Sequence, residues 1–243
     1  MVNMPGVAVR YAKQILKGRF PAAEETIAKD TRNAIRYAAH IIKGRFPAAE
    51  PKILEDIQHI YTYIDDVLAP QERWPEFEEM MEADKIEENT YDMYARKQDL
   101  ANLSVKYAFE VIKGRWPKAE YIILRSANAS VRYAQHVLQQ RWPKLEKIIL
   151  SNFENRPDEP NANISAAISY GSKIIKGRWQ EIEEYLKSPT EIALYATKVM
   201  NKRWPEKEEF IKNGRTNVWS VYTDHFNIDE SVMINHLRQK AGL

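Results

Sequence analysis

A short pattern, an arginine followed by an aromatic residue and usually a proline, recurs seven times and constrains the fold more than any other feature. Recurrence at a regular spacing is the signature of a repeat protein, in which each unit is one small supersecondary structure. Six copies read Arg-Phe-Pro or Arg-Trp-Pro, whereas Trp179 is followed by Gln180. The seven arginines are Arg19, Arg45, Arg73, Arg115, Arg141, Arg178 and Arg203.

Each copy belongs to a longer pattern. A tyrosine lies eight residues before six of the seven arginines, and the third repeat uses Tyr63, ten residues before Arg73. An Ile or Val follows each tyrosine by four residues, and a glutamate follows each arginine by five. The tyrosines are Tyr11, Tyr37, Tyr63, Tyr107, Tyr133, Tyr170 and Tyr195. The chain therefore contains seven related repeats, each about 26 residues long where nothing is inserted.

The spacing within a repeat predicts two short helices. Positions −3, 0, +1, +4 and +5 around the tyrosine form one apolar stripe at helical period, and this predicts a first helix, helix A. A Lys-Gly pair follows helix A in four repeats, and its glycine is expected to take the left-handed conformation that ends a helix. The aromatic residue then occupies a corner, because the residue before a proline avoids helical geometry. Proline suits the start of helix B, with the glutamate in its first turn.

A pair of short helices cannot bury its apolar face alone, but it can do so when stacked on neighbouring pairs. The sequence therefore predicts an all-α fold, an α-helical solenoid of about seven two-helix repeats over residues 1–213. Residues 214–243 are predicted to form a C-terminal helical cap with helices over 216–226 and 229–241, after Asn213-Gly214 caps the last repeat. The alternative for this segment is a contact surface built from Trp219, Tyr222, His225 and Phe226.

The repeat resembles one found in another group of proteins. Units of the form Tyr-Ala-x-x-Val-Ile-Lys-Gly-Arg-Trp-Pro-x-Ala-Glu, closest in Tyr107–Glu120 and Tyr37–Glu50, resemble tandem repeats in proteins of tailed phages and phage-derived DNA. The resemblance covers most of the chain, from Val7 to Ile211. It implies a phage-encoded protein in the host cytoplasm that inhibits, redirects or scaffolds a host or phage protein. The resemblance does not identify any catalytic residue in this chain.

Two insertions interrupt the repeats, near 80–100 and 151–163. Both fall between a helix B and the next helix A, so both are expected on the edge opposite the corners. The first is predicted to lengthen helix A of the fourth repeat, and the second, over 151–161, to be a plain loop. They are either tolerated surface loops or a partner-binding edge. The candidate contacts of such an edge are Tyr91, Tyr94, Arg96, Phe153 and Arg156.

Two sets of charged residues recur with the repeat. The corner arginine and the glutamate five residues later are predicted to pair with each other, which is favoured over an arginine array that binds phosphates. A second set lies on helix A, one residue before and six residues after the tyrosine, on one face. This basic stripe is a candidate nucleic-acid contact or the ordinary charged face of an exposed helix. Its members are Arg10, Lys17, Arg36, Lys43, Lys106, Lys113 and Arg132.

Recognisable catalytic chemistry is missing from the sequence. The chain has no cysteine, its five histidines form no metal-binding spacing, and it has no Gly-rich phosphate loop or nucleophile elbow. No apolar run is long enough for a membrane span, and the net charge is only +2. We therefore expect a cytoplasmic, non-catalytic protein without a cofactor that binds another protein. The alternatives are nucleic-acid binding through the basic stripe and an enzyme with an unrecognised site.

Overall fold

The computed structural model describes residues 3–68, 72–83, 92–155 and 160–228. Every regular element in these ranges is helical, which confirms the all-α class. The chain forms two compact units, Met1–Leu138 and Gln139–Leu243. The boundary lies inside the fifth repeat, so that its helix A belongs to the first unit and its corner and helix B to the second.

Each predicted helix A is present and ends at the tyrosine, except in the seventh repeat, where it ends at Leu194, one residue before Tyr195. In the first unit these helices are Pro5–Tyr11, Thr31–Tyr37, Ile57–Tyr63, Asp92–Tyr107 and Ala127–Tyr133. In the second unit they are Pro160–Tyr170 and Pro189–Leu194. The first insertion lengthens helix A of the fourth repeat, as predicted, because that helix already begins at Asp92.

Helix B is short in most repeats and follows the aromatic corner. Its bounds are Pro21–Ala28, Glu50–Ile53, Pro75–Glu82 and Glu120–Ile123 in the first unit, and Pro143–Asn155, Gln180–Glu183 and Pro205–Lys212 in the second. The corner residue stays outside helical geometry even at Trp179, which no proline follows. The prediction of a plain loop over 151–161 is wrong at both ends, since helices occupy 151–155 and 160–161.

Every helix A of the seven repeats ends in a π-helical turn, which the sequence pattern does not predict. These turns span Ala12–Leu16, Ala38–Ile42, Ile64–Leu68, Ala108–Ile112, Ala134–Leu138, Gly171–Ile175 and Tyr195–Met200. In the second repeat the Lys43 amide donates to the Ala38 carbonyl, and the Gly44 amide donates to the same oxygen. π-Helical turns are rare in proteins, so their recurrence at one register marks them as part of the repeat.

The residue that reverses the chain after this turn is the lysine, not the glycine. Left-handed backbone is found at Lys17, Lys43, Lys113, Gln139, Lys176, Asn201 and Asn227, with φ between 43° and 58°. The prediction that glycine takes this conformation is therefore wrong by one position. The physical reason is the wider π turn, which places the left-handed residue directly after the helix and leaves the glycine one step beyond it.

Replacing Lys43 by asparagine is expected to raise the free energy of unfolding by about 0.5–1 kcal/mol, because asparagine tolerates left-handed backbone better than lysine. Asn201 already occupies the equivalent position in the seventh repeat. The matched control is Lys13→Asn, an exposed helical position where the same change is expected to be destabilising by a few tenths of a kcal/mol. Urea denaturation followed by circular dichroism measures both. Equal effects of the two substitutions would contradict the assignment.

Helices A of successive repeats lie side by side within each unit, and their small residues allow close approach. The residue after the tyrosine is fully buried as Ala12, Ala38, Ala108 and Ala134. At Gly171, an added Cβ atom would come within 2.9 Å of the Val199 side chain in the next helix A. The tyrosine rings pack against the corner aromatic of their own repeat, with centroids 5.5 Å apart for Tyr37 and Phe46.

The segment after the last repeat continues the same packing. Helix Thr216–Phe226 contacts the preceding helices, and Tyr222 and Trp219 are buried, so neither side chain is part of an exposed contact surface. Asn213 is the C-cap of helix Pro205–Lys212, as predicted. Gly214 lies close to Pro189, where an added Cβ atom would come within 2.6 Å of the proline Cβ, so this position requires glycine. The predicted helix over 229–241 lies outside the described residues.

Candidate functional site

The corner arginine and glutamate pair in all seven repeats, as predicted. In the second repeat Arg45 Nε donates to Glu50 Oε1 at 2.8 Å and Arg45 Nη2 donates to Glu50 Oε2 at 2.6 Å, a bidentate pair. The same two-point contact joins Arg19–Glu24, Arg73–Glu78, Arg115–Glu120, Arg141–Glu146, Arg178–Glu183 and Arg203–Glu208. The arginines are therefore engaged in structure, and this disfavours an array of free phosphate ligands.

A tyrosine from the following helix A completes each corner. The Tyr37 hydroxyl accepts a hydrogen bond from the Phe20 amide at 2.6 Å and donates one to Glu24 at 2.9 Å. The corner amide donates to a tyrosine hydroxyl at every later corner too, through Tyr63, Tyr107, Tyr133, Tyr170, Tyr195 and Tyr222. Tyr222 shows that helix Thr216–Phe226 has the role of an eighth helix A. This contact joins one repeat to the next inside each unit.

The corner lowers the pKa of its glutamate and raises the pKa of its tyrosine. The hydrogen bond from Arg141 holds the pKa of Glu146 below its ordinary value despite burial, and the Tyr170 hydroxyl adds to this effect. Arg203 lowers the pKa of Glu208 in the same way. Burial raises the pKa of Tyr222 to about 12. The corner thus holds an ionised carboxylate and a neutral tyrosine, which is a structural rather than a catalytic arrangement.

The basic stripe is interrupted by acidic residues. Arg10, Lys17, Arg36, Lys43, Lys113 and Arg132 are exposed, but Lys106 is not free. It pairs with Asp65 on helix A of the third repeat and with Glu110 at 2.9 Å. Burial opposes the charge of Lys106, yet the hydrogen bonds to both carboxylates raise its pKa. The described stripe is therefore broken at the third and fourth repeats, where the local charge is mixed.

A groove of about 440 Å³ crosses the outer surface of helices A of the third to fifth repeats. Phe109 is its most prominent side chain, 48% exposed, with the His136 ring 5.9 Å away and the Lys113 ammonium 5.8 Å from its ring centroid. Arg132 and Glu110 add charges of both signs to its lining. The lining residues are Tyr61, Asn102, Val105, Lys106, Phe109, Glu110, Arg132 and His136. An exposed ring beside both signs of charge suits recognition of a polypeptide segment.

The proposed insertion contacts do not form a surface in the described residues. Phe153 is buried and stacks on Tyr185, with ring centroids 4.6 Å apart, so the prediction that Phe153 contacts a partner is wrong. Tyr94 and Arg96 belong to helix Asp92–Tyr107, but their side chains lie outside the described part of the structure. Tyr91 and Arg156 lie outside the described residues altogether.

The second unit has a groove of its own. It lies between the helices A of the sixth and seventh repeats and residues 213–215, and it has a volume of about 1090 Å³. Ile168 and Leu194 provide apolar surface, Ser165 provides a hydroxyl, and Glu191 and Arg215 provide charges of both signs. The residue before the tyrosine is basic in four of the five helices A of the first unit, whereas it is uncharged in the helices A of the second unit.

Comparison with known proteins finds no matching family model, no matching curated protein and no matching solved structure. Within the described ranges, no group of three or more histidine and carboxylate side chains is placed to hold a metal ion. In the same ranges no helix is long and apolar enough to cross a bilayer.

Proposed function

We propose that the chain is an α-helical solenoid of about seven two-helix repeats that binds a protein through the outer surface of its helices A. The recurrence of one interlocking contact at every described corner supports a solenoid, because each repeat buries its tyrosine against the one before. The role is binding rather than catalysis. The resemblance to tailed-phage repeats supports a phage-encoded protein that acts on a host or phage protein in the host cytoplasm.

The groove around Phe109 is the proposed binding site in the first unit. The observation that carries the proposal is the exposure of an aromatic ring at a position where the other repeats have polar or small residues, such as Lys13 and Ala39. Aromatic side chains held between neighbouring groups supply large contact area at small entropic cost, and they dominate protein interfaces. Arg132 and Glu110 would orient a partner segment that carries charges of both signs.

A peptide library selected on the immobilised full-length protein tests this site. Peptides selected on the natural protein are expected to bind Phe109→Ala at least about tenfold more weakly, the loss typical of an interface anchor. The matched control is Phe210→Ala, since Phe210 is 45% exposed on a helix B of the second unit. Loss of binding in the control alone, or in neither variant, would contradict the proposed site.

Nucleic-acid binding through Arg10, Lys17, Arg36, Lys43, Lys113 and Arg132 is the second candidate. The observation in its favour is that all six side chains are exposed. A gel-shift titration at several salt concentrations decides it, since affinity carried by phosphate contacts weakens steeply with salt. No shift at low salt removes this candidate, and a shift that Arg36→Ala and Arg132→Ala weaken together supports it.

A further inference from the structure

The face of the first helix A is more exposed than the same face in the later repeats. Tyr11 is partly exposed, whereas the tyrosine is fully buried at Tyr37, Tyr63, Tyr107, Tyr133, Tyr170, Tyr195 and Tyr222. Four residues after the tyrosine, Ile15 is 65% exposed, whereas the later repeats have a buried or half-buried residue there. These residues are Ile41, Val67, Val111, Val137, Ile174 and Val199. Leu16 and Met4 are also exposed, and no described residue hydrogen-bonds the Tyr11 hydroxyl.

The chain itself shows what fits this face. Each buried tyrosine meets a corner with the same three components, which are a backbone amide that donates to the hydroxyl, a glutamate that the hydroxyl approaches, and an arginine that fixes the glutamate. At Tyr37 these are the Phe20 amide, Glu24 and Arg19. The face around Tyr11 has the same hydroxyl and apolar residues. Among the described residues, however, no corner provides the amide, glutamate and arginine that contact the later tyrosines.

We propose that the open face of the first helix A, formed by Met4, Tyr11, Ile15 and Leu16, docks an acidic corner segment of the form Arg-aromatic-Pro-x-x-Glu from another protein. The Tyr11 hydroxyl accepts from the corner amide and donates to the glutamate, while Met4, Ile15 and Leu16 provide exposed apolar surface beside this contact. This site is separate from the Phe109 groove and does not depend on it.

Charge complementarity supports an acidic occupant. The segment from Pro5 to Lys17 contains Arg10, Lys13 and Lys17 and no acidic residue, and all three cations are exposed. The helices B of this chain, which occupy the equivalent place at later repeats, are rich in glutamate, as in Pro75–Glu82. Opposite charges around an apolar centre guide association and fix its orientation.

A second copy of this chain is not the proposed occupant. Each of the seven corners in the described residues is already engaged by the tyrosine of the following helix A, the last of them by Tyr222. A second copy therefore has no described corner left to offer, and charge repulsion between two basic first helices opposes a symmetric contact. The occupant is a corner that its own protein leaves open.

Grafting a corner in front of the first helix tests the face directly. Residues 19–29 are inserted in place of residues 1–3, so that Met4 is kept and the added arginine lies eighteen residues before Tyr11, as Arg19 lies before Tyr37. The graft is expected to raise Tm by about 3 °C or more, since a gain of 1 kcal/mol shifts Tm by about 2–4 °C at this chain length. Tyr11→Phe should remove most of this rise and leave the Tm of the ungrafted protein nearly unchanged. No rise, or a rise insensitive to Tyr11→Phe, would overturn the proposal.

Docking in trans is tested with a fluorescent peptide of residues 72–83 with blocked ends, whose sequence combines the corner with five glutamates. Saturable anisotropy change with the full-length protein is expected, weakened about tenfold by Tyr11→Phe, because this variant removes the acceptor of the corner amide. Equal binding to both proteins, or none, contradicts the proposal. Sedimentation of the unmodified protein as a dimer that Ile15→Ser dissociates would instead assign the face to a second copy and overturn the heterotypic assignment.

Discussion

Replacing Tyr107 by alanine is expected to lower the free energy of unfolding by about 3–5 kcal/mol, a large part of the 5–15 kcal/mol typical of a whole domain. Tyr107 is fully buried, and its ring packs against Phe77 and Trp116 with centroids 4.9 and 5.2 Å away. Its hydroxyl accepts from the Trp74 amide at 2.7 Å and donates to Glu78 at 2.7 Å. Truncation therefore opens a cavity and leaves a buried amide without its acceptor.

Tyr107→Phe separates the contribution of the hydroxyl to the free energy of unfolding from that of the ring. It keeps the packing but removes the acceptor of the Trp74 amide, and the expected cost is about 1–3 kcal/mol. Tyr11→Phe is the matched control, because no described residue hydrogen-bonds the Tyr11 hydroxyl; its effect should stay within about 0.5 kcal/mol. Urea denaturation followed by tryptophan fluorescence measures all three variants. A Tyr107→Phe effect as small as that of Tyr11→Phe would show that the hydroxyl contact does not join the repeats.

Sequence reasoning predicts the helices and corners well because these depend on local signals. The apolar stripe around Tyr107, the proline at the start of helix B and the glutamate in its first turn each have a local physical cause. The Arg–Glu pair follows from spacing alone, since five residues across a sharp corner bring the two side chains together. These predictions hold in every repeat, including the sixth, where Gln180 replaces proline.

The features that sequence reasoning misses depend on backbone geometry or on contacts between repeats. The π turn has no composition of its own, so the left-handed residue is misplaced by one, from Lys43 to Gly44. The tyrosine–glutamate contact joins residues of different repeats, and only their co-occurrence in every unit hints at it. The exposed aromatic residue of the Phe109 groove can be found from the sequence. Position +2 after the tyrosine is aromatic only in the fourth of the seven repeats.

The same buried tyrosines are expected to make the protein unfold cooperatively in alkali. Burial raises the pKa of all seven tyrosines at the corners, to about 12 for Tyr222. The unfolded chain releases these protons near pH 10, while the folded chain retains them. The stabilisation is therefore complete below about pH 10 and is lost as the pH rises toward the folded pKa values.

The magnitude of this effect follows from the number of linked groups. Each retained proton lowers the free energy of unfolding by up to about 1.4 kcal/mol per pH unit above pH 10. Seven tyrosines acting together exceed the total stability of an ordinary domain within one to two pH units. We therefore expect helix content to collapse at about pH 11. The seven corner tyrosines, among the 13 tyrosines of the chain, should contribute their rise in absorbance at 295 nm over the same narrow range.

Tyr107→Phe tests whether ionisation of the buried tyrosines is coupled to unfolding. It removes one of the linked protons, so its free energy of unfolding should fall less steeply with pH above 10, by about 1.4 kcal/mol per pH unit. Urea denaturation at a series of pH values between 9 and 11 measures the slope for both proteins. If the absorbance of all 13 tyrosines instead rises gradually around pH 10 while helix content persists, the corner hydroxyls are open to solvent and the interlocking corner does not hold the repeats together.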